Sequence, residues 1–290
     1  MPDISTLIPD VYKTIGKKDG WFTQEIASLL GQSIATTLKE QLGEDRPASR
    51  LRLSQMGPKC PRTLWYSVRH PELAQPVEPW VEVKFSFGHI LEALAITLAK
   101  ASGHEVTGEQ DELVLDGIKG HRDCVIDGCI VDVKSAASRS FQKFKDKSIG
   151  TSDTFGYLDQ LDGYMVASLD DPLVKVKDRA YLFAIDKQLG HMVLYEHHLR
   201  EDSIRTRVRD YKRIVERDVP PECTCGTVPD GKAGNLILDT RASYNNFKFA
   251  CFPNLRTFLY ADGPRYFTKV VKRPAEHIVE IDRNGRICYT

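Results

Sequence analysis

The dipeptide Asp127-Gly128 constrains the fold of this 290-residue chain more than any other feature of the sequence. It separates two runs of β-prone residues, where Asp-Gly is typical of a two-residue hairpin turn, because both residues accept a positive φ angle. We therefore predict that the chain forms two antiparallel strands on either side of this turn, Gly120–Ile126 and Cys129–Ser135.

A two-residue turn also fixes which side chains of the two strands face each other. Counting outward from the turn places Asp123 opposite Asp132. The alternation of side chains along each strand adds His121 and Lys134 to the same face. Opposed residues have Cβ atoms about 5 Å apart, so two carboxylates at these positions repel each other unless a cation lies between them. The pattern predicts a site for a hard divalent metal ion with Lys134 beside it, and the alternative is an exposed strand face that merely carries charge.

Two further segments are predicted to be amphipathic helices with polar residues close to their apolar faces. Phe87–Lys100 has an apolar stripe, with Glu92 beside it and His89 one turn earlier on a similar face. Tyr157–Tyr164 has a stripe at helical spacing that contains Gln160, a residue that a hydrophobic core does not favour. We interpret Gln160 as a polar group directed at the metal site, whereas Glu92 taken by itself is equally consistent with a solvated helix residue.

Four short motifs, in this order and spacing, resemble those of the PD-(D/E)xK nuclease superfamily. They are Gly88-x-x-x-Glu92, Gly120-His121-x-Asp123, Asp132-x-Lys134 and Gln160-x-x-x-Tyr164. The last motif is similar to that of the RecB-like exonuclease branch, which includes CRISPR-associated relatives and many bacteriophage exonucleases. The resemblance covers residues 55–270, and the segment Phe249–Val270 looks like the C-terminal part of phage-encoded members.

The resemblance implies a role for each motif residue. Asp123 and Asp132 would bind the metal ion, together with the backbone carbonyl of Val133. Glu92 would be a further ligand or would orient a water molecule on the metal. Lys134 would position the attacking water, help to deprotonate it and stabilise charge on the phosphate. Oxygen ligands of this kind favour Mg²⁺ or Mn²⁺ over Zn²⁺.

The remaining site residues are expected to contact the metal or the DNA. The resemblance implies that Gln160 and Tyr164 touch the phosphate backbone or the terminal nucleotide. In some RecB-like relatives a histidine of the first helix joins the metal ligands, and His89 is the candidate here, although it could simply satisfy hydrogen bonds. Lys143 and Lys145 follow the Asp-x-Lys strand in a run of cations and phenylalanines, which favours contact with DNA.

A second basic run, from Arg200 to Arg217, is interpreted as a surface helix, with DNA contact as the alternative. The chain has 40 basic and 40 acidic residues, so its net charge is zero. A nucleic-acid-binding protein is often basic overall, but a nuclease needs only a local basic groove.

The cysteines allow more than one interpretation. Seven of them without a secretory signal favour a reducing cytoplasm and argue against a disulfide framework. Several RecB-like relatives bind a 4Fe–4S cluster, and Cys60 and Cys251 look like the first and last of its four ligands. The expected intermediate pair is missing from 241–246, and Cys223-x-Cys225 matches no common cluster pattern. We therefore expect an iron–sulfur cluster to have been lost, leaving ordinary cysteines, with a four-cysteine Zn²⁺ site as the open alternative.

The order of predicted elements suits an α/β fold with a mixed central β-sheet flanked by helices, similar to the restriction-endonuclease core. We expect a helical N-terminal region at 1–55, the nuclease core at 56–219 and a C-terminal appendage at 220–290. No apolar run approaches the roughly 20 residues that a membrane span requires.

The sequence thus predicts a metal-dependent DNA exonuclease that acts at DNA ends, in phage or bacterial recombination, repair or degradation. DNA is the expected substrate, and a single-strand annealing protein is a candidate partner. Two alternatives stay open. The first is an endonuclease with the same chemistry, and the second is a non-catalytic nucleic-acid-binding protein that retains the fold. The presence of all four acidic and basic motif residues disfavours the second alternative.

Overall fold

A computed structural model of the protein describes residues 3–17, 20–43, 50–77 and 79–288. The α-helices of these residues are, in chain order, α1 (Leu7–Gly16), α2 (Gln24–Gly43), α3 (Pro61–Arg69), α4 (Pro79–Ala101), α5 (Ser138–Lys145), α6 (Tyr157–Ala167), α7 (Glu201–Val215), α8 (Thr240–Ser243) and α9 (Lys248–Cys251). The β-strands are β1 (Val106–Thr107), β2 (Glu112–Leu115), β3 (Ile118–His121), β4 (Cys124–Ile126), β5 (Cys129–Ala136), β6 (Arg179–Asp186), β7 (Met192–His198), β8 (Thr227–Asp230), β9 (Asn235–Leu238), β10 (Arg256–Tyr260), β11 (Gly263–Lys269) and β12 (Val279–Ile281).

The chain divides into two compact units. The first unit comprises Met1–Arg46, Leu51–Gly57 and Glu78–Val208, and the second comprises Pro47–Arg50, Pro58–Val77 and Arg209–Thr290. The boundaries of these units do not fall between residues 55 and 56 or between residues 219 and 220. The division of the chain into three regions stays a prediction. Among the described residues, no helix combines the length and the apolar character that crossing a membrane would demand.

The first unit is built on a five-stranded mixed sheet with the strand order β1-β4-β5-β6-β7. Strands β5 and β6 run parallel, whereas the other neighbouring strands are antiparallel. These two central strands are almost continuously buried, because helices α4, α5 and α6 pack against them. A mixed central sheet flanked by helices, with the helices α1 and α2 before it, confirms the predicted fold class.

One face of this sheet carries the apolar core that holds α4 in place. Ala95 and Ala99 of α4 lie in one buried cluster with Val131 and Val133 of β5 and Phe183 of β6. Since successive side chains of a strand point to opposite faces, the even-numbered positions of β5 lie on the other face. The core therefore fixes the orientation of the polar residues of this strand.

The hairpin predicted around Asp127-Gly128 is confirmed. Both turn residues have positive φ angles, 52° and 79°, as a two-residue hairpin of this kind requires. The register pairs Ile126 with Cys129 and Val125 with Ile130, as counting outward from the turn predicts. The alternation of side chains on β5 therefore follows directly from the sequence.

The predicted continuous strand Gly120–Ile126 is wrong. The chain leaves β3 after His121 and enters β4 at Cys124; β3 pairs with β2 in a separate two-stranded sheet. His121 is exposed and belongs to that second sheet, so the argument that placed it on the face of Asp123 does not hold.

The buried side chain of Arg122 explains the break between β3 and β4. Arg122 is 1% exposed, and its guanidinium lies 2.6 Å from Asp111 Oδ2 and 2.5 Å from Asp171 Oδ2. Its Nε donates to the carbonyl of Gly108. A buried guanidinium needs this degree of pairing, and the loops that supply it hold the chain away from a regular strand. Arg122 thereby fixes the backbone next to Asp123.

The tip of the hairpin is fastened to the end of α4. His104, which follows that helix, has a fully buried side chain whose Nδ1 lies 2.6 Å from Asp127 Oδ2. The other carboxylate oxygen of Asp127 accepts the backbone N–H of Glu105 at 3.0 Å, and the Asp127 N–H donates back to the Glu105 carbonyl. The turn residue is thus bound to α4 by both its side chain and its backbone.

The second unit contains a five-stranded antiparallel sheet with the order β12-β10-β11-β9-β8. Phe258 of β10 and Phe267 of β11 are buried edge-to-face with their ring centroids 5.0 Å apart. The helices α3, α8 and α9 belong to the same unit.

Candidate active site

Strand β5 presents Asp132 and Lys134 on the same face, two residues apart. Asp132 is 1% exposed, and its Oδ2 lies 2.5 Å from the Lys134 Nζ. The ammonium group also lies 5.0 Å from the ring centroid of Tyr157, at the start of α6. Sequence reasoning treated Tyr157 as a residue of an apolar stripe and missed its contact with the lysine.

The charges of this pair depend on its burial. Burial raises the pKa of Asp132 above its ordinary value, although the Lys134 ammonium opposes that shift. Burial by itself would lower the pKa of Lys134, but the carboxylates of Asp132 and Asp123 raise it above its ordinary value. Lys134 is therefore a cation in this arrangement, held between acidic groups.

Asp123 lies between the two sheets and contacts the backbone of β5. Its Oδ2 accepts the N–H of Val133 at 2.7 Å. Burial, followed by the negative charges of Asp132 and Glu92, raises the pKa of Asp123 well above its ordinary value. The structure thus brings together the three acidic side chains that the sequence identified, close enough to repel one another.

Glu92 reaches this acidic group from α4. Its Oε1 accepts a hydrogen bond from Gln110 Nε2 at 2.6 Å, and its Oε2 lies 3.9 Å from His89 Nδ1. Gln110 lies in the loop before β2 with a positive φ of 56°. No pattern in the sequence points to Gln110, because its contact with Glu92 depends on how that loop folds back.

The three carboxylates do not converge on a single point. In the described part of the chain, the oxygens of Glu92, Asp123 and Asp132 are not all within 4.8 Å of one another. An ion with oxygen ligands at about 2.1 Å spans at most about 4.2 Å between any two of them. The three side chains therefore cannot all be direct ligands of one ion in this arrangement.

Gln160 connects the acidic group to α6. Its Nε2 donates to Asp132 Oδ1 at 3.1 Å and lies 2.8 Å from the hydroxyl of Tyr164. The interpretation of Gln160 as a polar group directed at the site agrees with this contact. Tyr164 is 2% exposed, so it has almost no surface with which to touch a nucleotide, and the contact expected for it does not fit its burial.

The glycine of the second motif has a steric role. A Cβ atom at Gly120 would lie 2.7 Å from the Cβ of Leu53 and 3.1 Å from the ring of Tyr164. Real Cβ contacts are essentially never as short as the first of these, so a larger residue would displace its neighbours. Gly120 therefore permits the close packing that holds Tyr164 behind Gln160.

The first basic run forms the helix α5, directly after β5. Phe141 and Phe144 are buried, whereas Lys145 is exposed and Lys143 is half-buried with its Nζ donating to the Ser152 carbonyl at 3.1 Å. The ammonium group of Lys145 is therefore accessible to a polyanion such as DNA, whereas that of Lys143 already makes one hydrogen bond within the protein.

The arginines of the second basic run that lie in the first unit form ion pairs within the protein. Arg200 pairs with Asp159 and Asp162 of α6, and Arg207 lies 2.5 Å from Asp159 Oδ2. These two arginines are therefore engaged within the protein, which agrees with the interpretation of this run as a surface helix.

The sulfur atoms of Cys60, Cys223 and Cys225 lie within 4.8 Å of one another in the second unit. Cys251 joins them, because the thiols of Cys225 and Cys251 both hydrogen-bond to Cys60. The expectation that Cys60 and Cys251 are left over from a lost iron–sulfur site stays a prediction.

No family model matches the sequence, and no curated protein matches it. Similar solved structures include the protein SSO0001, with 16% identity, coverage of 79% of this chain and 97% of that chain, and a TM-score of 0.41. An alkaline exonuclease from Laribacter hongkongensis is 13% identical, covers 73% of this chain and 86% of its own, and has a TM-score of 0.31. A phage-related exonuclease from Haemophilus somnus 129PT is 16% identical, covers 72% and 92%, and has a TM-score of 0.34. Two of these three structures are described as exonucleases.

Proposed function

We propose that this protein is a divalent-metal-dependent deoxyribonuclease that removes nucleotides from DNA ends. The observation that carries the proposal is the acidic group of the first unit, in which Asp123, Asp132 and Glu92 repel one another beside the Lys134 ammonium. The preference for DNA ends rests on the resemblance of the Gln160 and Tyr164 motif to RecB-like exonucleases.

The residues present fit a hard divalent cation. Asp132 Oδ2 is buried and ion-paired with Lys134, but it accepts no well-aligned hydrogen bond, and the pKa of the neighbouring Asp123 is raised by burial and like charge. The atoms proposed to hold the ion are all oxygens, which suits Mg²⁺ or Mn²⁺. Asp123, Asp132 and the carbonyl of Val133 would hold the ion.

The spacing of the carboxylates favours one of the two roles considered for Glu92. Because the oxygens of Glu92, Asp123 and Asp132 are not all mutually close, and Glu92 alone comes from α4 rather than from the hairpin region, we assign Glu92 to orienting a water molecule. Gln110 fixes the position of Glu92 for that role by donating to its Oε1. His89, which lies near the other oxygen of Glu92, would help to hold the carboxylate rather than bind the metal.

A divalent cation at this position would neutralise charge on the scissile phosphate and make water more acidic. Lys134, as a half-buried cation, would place a second positive charge against the phosphate. Gln160 would keep Asp132 in one orientation, and Tyr164 would support Gln160 from the protein interior. Lys145 on α5 would contact the DNA backbone.

Cleavage of end-labelled DNA tests this proposal. Linear duplex and single-stranded DNA are incubated with the protein and Mg²⁺, Mn²⁺ or EDTA, and products are separated by length. We expect progressive shortening with either metal ion and intact DNA with EDTA. Failure of folded protein to cleave any of these DNAs with both metals would overturn the proposal.

A matched pair of variants connects the activity to the site. Asp132→Asn should abolish cleavage, whereas Asp170→Asn, at an exposed position of the same unit, should leave it unchanged. A covalently closed single-stranded circle separates the two modes of cleavage, because an exonuclease leaves it intact. Cleavage of the circle would support the endonuclease alternative and overturn the proposed action at ends.

A further inference from the structure

Four cysteines of the second unit come together from three separate segments of the chain. This cysteine cluster consists of Cys60, Cys223, Cys225 and Cys251. Cys60 precedes α3, Cys223 and Cys225 lie in the loop before β8, and Cys251 ends α9. Cys60 and Cys251 are buried, and the other two are half-buried, so the cluster is largely closed to solvent.

The spacing of the sulfur atoms indicates what the cluster can bind. The Cys60 and Cys223 sulfurs are 3.8 Å apart, and those of Cys60, Cys223 and Cys225 are all within 4.8 Å of one another. Four thiolates around one tetrahedral metal ion, with bonds of about 2.3 Å, have their sulfurs about 3.8 Å apart. The thiolates of a 4Fe–4S cluster each bind a different iron of the cube, which separates them by roughly 6 Å. The spacing of the Cys60, Cys223 and Cys225 sulfurs fits a single ion and does not fit the cube, and the Cys251 sulfur lies beside this group, in contact with Cys60 and Cys225.

Hydrogen-bond donors surround the sulfurs. The Thr224 N–H donates to the Cys60 sulfur at 3.3 Å. Asn245 Nδ2 lies 3.8 Å from the Cys225 sulfur and 3.9 Å from the Cys251 sulfur, and the Thr63 hydroxyl is at similar distances from both. Donors of this kind stabilise negative thiolates and orient them toward a metal. Asn245 lies in the segment 241–246, where a further cysteine was expected. Its side-chain amide donates to the sulfurs of Cys225 and Cys251.

A disulfide does not account for this arrangement. A bonded pair of sulfurs is about 2.05 Å apart, and all four residues are unbonded thiols in the structure. A disulfide would also leave the two remaining sulfurs of the cluster, with their surrounding donors, unexplained.

We propose that the cysteine cluster binds a single zinc ion that stabilises the second unit. Three mutually close sulfurs, with the Cys251 sulfur beside two of them, would supply four protein ligands and leave no open position, which is the arrangement of a structural rather than a catalytic zinc site. Zinc is chosen over iron because it binds such ligands more tightly among the divalent metals. The ion would join residues that are 163 positions apart in the chain, so that metal binding contributes directly to folding. The proposal is independent of the cleavage activity.

Metal analysis of the full-length protein, purified without added metal, tests the proposal. We expect about one zinc per chain, little iron, and no visible charge-transfer absorbance. A thiol-blocking mercurial should release the zinc, and cobalt substitution should give the d–d absorption of a tetrahedral thiolate site. Iron in place of zinc, a 4Fe–4S spectrum after anaerobic purification, or the absence of any stoichiometric metal would each overturn it. So would a Cys60–Cys223 disulfide detected by mass spectrometry of the unreduced protein.

Paired cysteine variants provide the second measurement. Cys225→Ser should lose the zinc and unfold at a lower temperature, whereas Cys288→Ser, a half-buried cysteine of the same unit outside the cluster, should retain both. If Cys225→Ser does not fold, the cobalt spectrum of the wild-type protein still decides the question. Retention of a full zinc complement by folded Cys225→Ser would overturn the assignment of that ligand.

Discussion

The acidic group of the first unit and the cysteine cluster of the second are assembled in opposite ways. Asp132 and Lys134 belong to β5, and Asp123 directly precedes β4. The pairing of β4 with β5 therefore brings the three residues close together. Cys60 and Cys223 lie 163 positions apart, and only the tertiary fold brings them together. Local pairing can be predicted by counting residues, whereas a convergence of distant segments cannot.

The two regions also differ in how well their polar atoms are satisfied. The carboxylates repel one another, and burial raises the pKa of both Asp123 and Asp132. The sulfurs, in contrast, are surrounded by N–H and O–H donors. Acidic groups with shifted pKa values are typical of a catalytic site. Ligand atoms that accept hydrogen bonds from their surroundings are typical of a structural metal site. The comparison predicts that changes in the first region reduce cleavage, and that changes in the second reduce stability.

The largest effect is expected for Lys134→Ala. Loss of the half-buried ammonium should reduce the cleavage rate by about 10³-fold or more, equivalent to about 4 kcal/mol of transition-state stabilisation. The measurement is the initial rate of shortening of end-labelled duplex at saturating Mn²⁺. Lys119→Ala, which removes an exposed lysine paired with Glu112, serves as the matched control and should cleave normally. A Lys134→Ala rate within tenfold of wild type would remove the proposed role.

Cys251→Ser is expected to produce the reverse pattern. Loss of one sulfur should lower the free energy of unfolding by about 3 kcal/mol, because the bound ion contributes to folding. Below the unfolding temperature, the cleavage rate should stay within about threefold of wild type, since the cysteine cluster belongs to the second unit and the acidic group to the first. Thermal denaturation and single-temperature rates measure the two effects separately. A large loss of activity in folded protein, without loss of stability, would break the distinction between the regions.

Gln160→Ala should have an intermediate effect on cleavage. Removing the amide that orients Asp132 should reduce the rate by about 10–100-fold and raise the Mn²⁺ concentration needed for half-maximal activity. Tyr164→Phe removes a hydroxyl that touches Gln160 and leaves the buried ring in place, so its effect should be smaller. Equal losses in both variants would instead indicate that the tyrosine contacts the DNA.

The smallest effect is a change in the free energy of unfolding, which is expected for Asp123→Asn in the presence of EDTA. Removing one charge from the acidic group, with no metal ion present, should raise the free energy of unfolding by roughly 1 kcal/mol. The raised pKa of Asp123 determines the pH dependence: the folded carboxyl keeps its proton to higher pH than the unfolded one, so the charged form destabilises the wild type increasingly as pH rises. The gain should therefore be larger at neutral than at acidic pH, as measured by urea denaturation. A stability loss at neutral pH would contradict the electrostatic account.

Much of the site could be predicted because it lies in regular structure. The turn at Asp127-Gly128 fixed the register of β4 and β5, and alternation then placed Asp132 and Lys134 on one face. Helical spacing on α6 correctly directed Gln160 toward the acidic group. In these elements, a period of 2 or 3.6 residues is enough to state which side chains meet.

The parts that could not be predicted depend on irregular structure. Arg122 interrupts the strand before Asp123 through contacts with three loop residues. The sequence around Arg122 contains no pattern that predicts these contacts. Gln110 meets Glu92 for a similar reason. The spacing of the cysteines along the chain leaves a four-cysteine site only as an alternative, because the tertiary fold rather than local spacing brings the Cys60 sulfur to 3.8 Å from the Cys223 sulfur.

The fastening of the hairpin tip to the end of α4 has a mechanical consequence. Glu92 belongs to the helix and Asp132 to the hairpin, and the contacts of Asp127 with His104 and Glu105 join the two elements beyond the acidic group. Glu92 lies nine positions before the end of α4 at Ala101, a distance of about 14 Å at the usual helical rise. The hairpin tip is therefore attached to the segment that follows α4, and a displacement of the hairpin relative to that segment would have to break these contacts.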